Sequence, residues 1–131
     1  MNKIPIVFAS SNSYIIPTIV AITSMLHSKN SNTFYDIFIL DNNISAENKN
    51  AFFWKDFKDQ YKLTFIKLNL KDFENYKGNT NWSITTFGRY YICDLLPNYD
   101  KCIYLDGDTL ILNDLFVYKT CINSPIFDFF D

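Results

Sequence analysis

Glycine, histidine and arginine are scarce in this 131-residue sequence, with three, one and one copies. So few glycines argue against a phosphate-binding loop built from several glycines. One histidine and three cysteines without paired spacing exclude a spaced zinc site and indicate the reduced thiols of a cytosolic protein. Twelve basic against fourteen acidic residues give a formal net charge of −2. The chain therefore lacks the basic face expected of a nucleic-acid-binding protein.

Long apolar runs are missing as well. The apolar stretch near the N-terminus is interrupted by Ser10–Ser13 and by Pro17. A signal peptide needs one unbroken apolar stretch, and a membrane span needs about 20 apolar residues. We therefore expect a cytoplasmic protein, with the inner face of the membrane left open as its place of action. The hydrophobic fraction of 48% suffices for one packed domain over residues 1–131.

Short apolar runs alternate with segments of helical spacing along the chain. Strands are predicted at Ile4–Ala9, Phe34–Leu40, Leu63–Leu68 and Lys101–Leu105, and helices at Tyr14–Ser28, Ala46–Tyr61 and Ile84–Leu95. This alternation predicts an α/β fold with parallel strands and helices on both faces of the sheet. Within the second helix, Phe52, Phe53, Trp54 and Phe57 are expected to belong to the core.

Ligands of such folds bind at the carboxyl ends of the strands. The sequence places three polar loops there, at Ser10–Ser13, Asp41–Asn43 and Asp106–Asp108. Asp106-Gly107-Asp108 is the most informative of them, because two carboxylates beside a buried strand suit a Mg²⁺ or Mn²⁺ ion that also holds substrate phosphates. Gly107 would let a diphosphate approach the backbone closely. The alternative is an ordinary acidic turn, since Asp-Gly is common in turns.

Two further segments are candidates for binding. Arg89, the only arginine, follows Ser83–Gly88 in a segment with helical character, and its planar side chain could bridge a carboxylate and a phosphate or sugar oxygen. A solubilising surface cation is an equally good interpretation. The small and polar residues from Ala9 to Ser13 leave room for a nucleobase and offer donors and acceptors to it. Taken alone, this loop is better explained as an ordinary turn between a strand and a helix.

Together these segments resemble glycosyltransferase family 8, the group that contains glycogenin and the bacterial lipopolysaccharide galactosyl- and glucosyltransferases. The resemblance implies a GT-A fold, a Rossmann-like nucleotide-binding sheet. It also implies a UDP-hexose donor, Mn²⁺ or Mg²⁺, and transfer with retention to a glycan acceptor such as lipooligosaccharide. The segments that carry it are Ile6–Ala9 with Asn12 and Tyr14, Phe38–Asp41 with Ile44, Ser45, Glu47 and Asn48, Ile84–Thr86 with Arg89, and Lys101–Asp108.

The resemblance also implies roles for particular residues. Asp106 and Asp108, with Gly107 between them, match the family's D-x-D motif that contacts the metal and the donor, and Arg89 matches an arginine that touches the donor sugar. Ala9, Ser11 and Asn12 match the uridine-binding stretch, and Tyr14 matches a tyrosine near the base. Ser11 departs from the family, which usually has an acidic residue there. The resemblance assigns no catalytic residue in this chain.

Length is the second departure from the family. Members continue to acceptor-binding strands, a downstream Asp/Gln pair and a distal histidine that completes the metal site, and His27 lies at the wrong end to replace it. We therefore expect the N-terminal donor-binding part of a GT-A domain, truncated and inactive alone, with an open sheet edge that favours self-association. The alternatives are a non-catalytic sugar-nucleotide-binding fragment, or decayed gene product, and a nucleotidyltransferase. The nucleotidyltransferase is disfavoured because its glycine-rich basic loop is missing.

Overall fold

The structure of the protein is a computed structural model, and it describes residues 2–68, 96 and 98–116. The described part contains four β-strands and two α-helices, joined by loops that include two short 3₁₀ turns. In chain order the elements are β1 (Asn2–Ser11), a 3₁₀ turn (Asn12–Tyr14), α1 (Ile15–His27), β2 (Thr33–Asn42), α2 (Ala46–Lys49), a 3₁₀ turn (Lys55–Phe57), β3 (Tyr61–Lys67) and β4 (Ile103–Tyr104).

The four strands form one parallel sheet in the order β3-β2-β1-β4. Strands β1 and β2 pair from Asn2↔Thr33 to Ser11↔Asn42, and β4 joins the other side of β1 through Ile6↔Ile103 and Val7↔Tyr104. The chain thus moves outward from β1 to β3 and then returns to the opposite side of β1. The strand order reverses between β1 and β4, which is where open α/β sheets bind ligands.

Each face of the sheet carries its own apolar cluster, because side chains alternate along a strand. On one face α1 packs against β1 and β2, with the buried set Ile4, Ile6, Phe8, Tyr35, Ile37, Ile39, Ala21, Ile22, Met25 and Leu26. On the other face Val7, Leu40 and Tyr104 meet the buried Leu68, Leu96 and Cys102. The helical spacing that predicted α1 therefore follows from its packing against the sheet, and Pro17 lies in its first turn.

The long helix predicted at Ala46–Tyr61 is wrong. Ser45 caps α2 as its sequence suggests, its hydroxyl accepting from the Asn48 N–H, but α2 ends at Lys49. Trp54 then adopts an extended backbone, and its indole Nε1–H donates to Thr23 Oγ1 on α1 at 2.7 Å. The Trp54 backbone N–H donates to the Tyr61 hydroxyl at 3.1 Å. These contacts with other elements outweigh the helical pattern of the segment.

The aromatic cluster predicted in this segment is mostly core. Phe52 is buried, and Trp54 and Phe57 are partly buried against the apolar cluster on the α1 face of the sheet. Phe53, in contrast, is 65% exposed. The helix predicted at Ile84–Leu95 lies outside the described residues. No helix in the described ranges has the length and apolar character needed to cross a bilayer. Self-association through an open sheet edge stays a prediction.

Tyr35 connects the centre of the sheet to the segment that follows β4. Its ring is fully buried, and its hydroxyl accepts the Leu115 backbone N–H at 3.0 Å. Burial raises the pKa of Tyr35 to about 12; the Leu115 bond opposes this rise and the nearby Asp114 charge adds to it. The segment is also held by Asp114, whose carboxylate accepts the Asn30 N–H at 2.6 Å.

Replacing Tyr35 by phenylalanine is expected to lower the free energy of unfolding by about 1–3 kcal/mol, because the buried Leu115 N–H loses its acceptor. Urea unfolding followed by circular dichroism measures this loss. Tyr14→Phe, at a tyrosine that is 58% exposed, is the matched control and should change stability little. An equal effect of the two substitutions would contradict the assignment.

The same substitution has a consequence at high pH. The unfolded chain ionises Tyr35 near pH 10, whereas the folded protein holds its proton until about pH 12, so the stability due to this group is present below pH 10 and lost between pH 10 and 12. The loss of stability over that interval should therefore be smaller in Tyr35→Phe than in the wild type.

Candidate functional site

Two loops flank the point where the strand order reverses. The first consists of the last two residues of β1 and the 3₁₀ turn that leads into α1, and we call it the β1 loop (residues 10–14). The second follows β4 and contains Asp106, Gly107 and Asp108; we call it the acidic turn. The Leu105 N–H donates to the Val7 carbonyl oxygen at 2.9 Å, which continues the pairing of β4 with β1 up to this turn. Parallel pairing therefore brings both loops to the same edge of the sheet.

The acidic turn presents two carboxylates in different environments. Asp106 is half-buried and Asp108 is exposed. The turn is closed by Thr109, which donates to the Asp106 carbonyl oxygen through its backbone N–H at 3.3 Å and its hydroxyl at 2.7 Å. Among the residues that the structure describes, no cluster of three or more His, Cys, Asp or Glu side chains could hold a metal ion.

The donor set of the acidic turn nevertheless fits one kind of ion. Two carboxylates supply hard oxygen ligands, which suit Mg²⁺ or Mn²⁺. Mg²⁺ is usually held by one or two carboxylates, with its remaining positions filled by water and substrate phosphates. The arrangement would therefore suit a metal that arrives with a diphosphate. It lacks the ligand number of a dedicated protein cage.

The β1 loop offers neutral polar groups and an aromatic ring. Ser11 Oγ lies 3.0 Å from Ser13 Oγ, and both residues are accessible to solvent. Tyr14 exposes 58% of its surface, while Ala9 is half-buried and packs against the second apolar cluster. The loop could therefore stack a planar ring on Tyr14 and exchange hydrogen bonds through the two hydroxyls.

Asn12 has a structural task in this loop in addition to its predicted binding role. Its side-chain Oδ1 accepts the Ser45 backbone N–H at 2.9 Å and the Asn48 side-chain Nδ2–H at 3.1 Å. Asn12 thus ties the β1 loop to the start of α2. A polar side chain in a loop predicted to bind a nucleotide is here engaged with the protein itself, which the sequence pattern did not indicate.

Asp41 stands at the carboxyl end of β2 and is buried. Its Oδ1 accepts the Ile44 N–H at 2.7 Å, and its Oδ2 pairs with Lys49 Nζ at 2.7 Å. The ammonium of Lys49 also lies 5.2 Å from the centroid of the Phe65 ring. The loop predicted at Asp41–Asn43 is therefore a structural support that holds α2 against the sheet.

The predicted site residues divide into two groups. The structure brings Ser11, Asn12, Tyr14 and the acidic turn to one edge of the sheet, with Ala9 at the end of β1 behind them. Arg89 lies outside the described residues. Sequence reasoning missed Thr18, which is fully buried on α1 between the two loops. Its one signal was a small polar residue on the otherwise apolar buried face of the helix.

Comparison with known proteins gives a consistent family assignment. The sequence profile of Glycosyl transferase family 8 matches residues 5–121. A putative glycosyltransferase from Haemophilus influenzae is 30% identical over 113 residues, which cover 84% of this chain and 33% of the relative. The human glycosyltransferase 8 domain-containing protein 1 is 26% identical over 127 residues, covering 92% of this chain and 34% of the relative.

A solved structure extends the similarity to three dimensions. The galactosyltransferase LgtC, determined in complex with donor and acceptor sugar analogues, superposes with a TM-score of 0.72 and 28% sequence identity. The match covers 88% of this chain and 41% of the LgtC chain. The present chain thus spans about a third of the length of the curated relatives it matches.

The contact between the acidic turn and α1 gives a test of the site's geometry. A Cβ atom added at Gly107 would lie 2.6 Å from Thr18 Oγ1. Because Thr18 is buried and branched at Cβ, its side chain has little freedom to move away. We expect Gly107→Ala to lower the free energy of unfolding by about 1–3 kcal/mol, as overpacking does. Chemical denaturation measures the loss.

A double substitution separates this clash from a general intolerance of alanine. Thr18→Ala removes the oxygen that the new methyl group would meet, so Gly107→Ala should cost less in that background than in the wild type. The same cost in both backgrounds would show that Gly107 and Thr18 are not in contact.

Proposed function

The chain belongs to glycosyltransferase family 8 and has the GT-A fold, and from this membership we propose that it is the donor-binding part of a retaining hexosyltransferase that uses a UDP-sugar. The reaction breaks the bond between the anomeric carbon of the hexose and the diphosphate oxygen. UDP leaves with the electron pair, an acceptor hydroxyl oxygen forms the new glycosidic bond, and its proton is released. The anomeric configuration is retained.

One observation carries the proposal. The two loops that a nucleotide diphosphate needs, one with an exposed aromatic ring and hydroxyls and one with two carboxylates, lie side by side where the strand order reverses. The uridine would bind against Tyr14, Ser11 and Ala9. The side-chain N–H groups of Asn12 would be available beside it. Arg89 would contact the donor sugar, a role that rests on the resemblance to the family alone.

Asp106 and Asp108 would hold Mn²⁺ or Mg²⁺ beside the diphosphate. When bound, the metal neutralises the negative charge that develops on the leaving UDP. Gly107 gives the backbone of the acidic turn no side chain on the side that approaches α1. The two carboxylates and the bound diphosphate together supply more oxygen ligands than either supplies alone, so metal and nucleotide should bind cooperatively.

The acceptor we propose is a glycan, with lipooligosaccharide as the first candidate. The galactosyltransferase LgtC, which was determined in complex with donor and acceptor sugar analogues, supports a sugar acceptor, and the choice of lipooligosaccharide rests on the resemblance to the family. We propose that the chain acts in the cytoplasm, at the inner face of the membrane, where it would reach such a glycolipid acceptor.

A non-catalytic sugar-nucleotide-binding module is the second candidate. It is favoured by the groups described at this edge of the sheet, which suit a nucleotide diphosphate and a metal ion and none of which is assigned a catalytic step. Both candidates require donor binding, and they differ in whether an acceptor is glycosylated.

We expect Mn²⁺ to strengthen the binding of UDP to the wild-type chain, and Asp106→Asn or Asp108→Asn to reduce that enhancement by about tenfold or more. Each substitution removes a negative ligand while keeping the size of the side chain. Isothermal titration of UDP with and without Mn²⁺ measures the enhancement. Asp100→Asn is the matched control, because Asp100 is exposed and precedes β4 at the opposite end of the same strand. An undiminished enhancement in both acidic-turn variants would reject the metal site.

The second expectation concerns transfer itself. The 131 residues alone should bind the donor weakly and transfer no sugar, because transfer needs an acceptor positioned at the reactive carbon. The test incubates the purified chain with radiolabelled UDP-glucose or UDP-galactose, Mn²⁺ and lipooligosaccharide. Acceptor labelling above that of the Asp106→Asn variant would overturn this expectation and establish the chain as an active transferase.

A further inference from the structure

Thr18 is a polar side chain in an apolar environment, and the site described above does not use it. It lies on α1, one turn after Tyr14, and is 0% exposed. Its neighbours on the buried face of the helix, Ile15, Ala21 and Ile22, are apolar. A buried hydroxyl is costly unless it forms hydrogen bonds, so its partners indicate what it does.

The Thr18 hydroxyl contacts the β1 loop. Oγ1 donates to the Tyr14 carbonyl oxygen at 2.8 Å and lies 3.4 Å from Ser10 Oγ. The Ser10 hydroxyl in turn donates to the Ser11 carbonyl oxygen at 3.1 Å. Through its bond to Tyr14 and its contact with Ser10, one buried oxygen meets both ends of the loop, at the start of α1 and at the end of β1.

The same oxygen contacts the acidic turn from the other side. An ideal Cβ on Gly107 would lie 2.6 Å from Thr18 Oγ1 and 3.6 Å from Thr18 Cβ. The backbone of the turn therefore rests directly on the Thr18 side chain, at a distance that only glycine permits. A threonine on a helix is restricted to two χ1 rotamers, and the bond from Thr18 to the Tyr14 carbonyl oxygen selects one of them, so this contact is stiff.

We propose that Thr18 is a positioning residue that fixes the distance between the β1 loop and the acidic turn, so that one UDP molecule with its metal ion can engage both. Thr18 does not touch the ligand itself. The inference rests on the proposed function and adds to it the residue that sets the geometry of the site. Small displacements between two binding groups are costly, because a ligand that spans them needs both at once.

This role has a specific thermodynamic consequence. If the distance between the two loops is fixed, the metal on the acidic turn and the uridine on the β1 loop favour each other's binding through the shared diphosphate. A change that lets this distance vary should weaken the mutual enhancement. It should leave the affinity for uridine alone, and for the metal alone, unchanged. A residue that merely stabilised the fold would not separate these quantities.

The test measures the factor by which Mn²⁺ raises the affinity for UDP, together with the affinity for uridine alone. Thr18→Val keeps the shape of the side chain but removes the hydroxyl that bonds Tyr14, and it places a larger methyl group against Gly107. We expect the Mn²⁺ factor to fall about tenfold, and the uridine affinity to stay within about twofold of the wild type. Thr18→Ser, which keeps the hydroxyl, should retain most of the factor.

Thr23 offers a matched control on the same helix. Its hydroxyl makes the equivalent bond one turn back, to the Ile19 carbonyl oxygen at 2.7 Å, and it accepts the Trp54 indole N–H at 2.7 Å. Thr23→Val should therefore lower stability, because it leaves a partly buried donor without its acceptor. It lies more than a turn beyond the contact with Gly107, so the Mn²⁺ factor should not change.

Three outcomes overturn the proposal. The first is an unchanged Mn²⁺ factor in Thr18→Val, and the second is an equal fall in Thr23→Val, which would make the effect one of general stability. The third is a wild type that binds UDP with no Mn²⁺ enhancement, in which case the proposed function fails first and the inference falls with it. If Thr18→Val does not fold, Thr18→Ala removes the same hydroxyl without added bulk and decides the question by the same measurement.

Discussion

The pairing of β1 on both of its sides is the constraint on which the rest of the described structure depends. Its ladder with β2 runs to Ser11↔Asn42, and its pairing with β4 continues through the bond from Leu105 to Val7. Because parallel strands keep their register, the carboxyl ends of both neighbours are fixed relative to the end of β1. The β1 loop and the acidic turn are therefore neighbours as a result of the sheet, whatever side chains they carry.

Some polar residues at this edge hold the loops in place, and others would bind the ligand in the proposed function. The carboxylate of Asp41 and the side-chain amide oxygen of Asn12 each accept a backbone N–H, and Asp41 also pairs with Lys49. These bonds fix the loops after β1 and β2. A loop held in this way loses little conformational freedom when a ligand binds, so more of the contact energy is available for affinity. The exposed Tyr14 ring and the exposed Asp108 carboxylate stand on that rigid base.

The sheet and the acidic turn could be predicted because their signals are local. Runs of β-branched and aromatic residues predicted β1, β2 and β3, and the apolar stripe of α1 predicted the face it buries. The prediction of one helix over Ala46–Tyr61 was wrong because the Trp54 indole binds Thr23 on α1, a contact that no local sequence pattern reveals. The contact of Thr18 with Gly107 joins residues 89 positions apart. Only the fold brings such pairs together, so this part of the site could not be predicted from spacing.

A metal site with two carboxylates suits a reaction in which the metal and the nucleotide act together. In the proposed function, Asp106 and Asp108 would hold a divalent ion loosely and diphosphate oxygens would complete its shell, so the ion would be bound firmly only while the nucleotide is present. The cooperative gain then depends on how accurately the two loops are spaced, because a shared diphosphate cannot adapt to both if they drift apart. The stiff contact at Thr18 thereby links the packing of α1 to the affinity of the site.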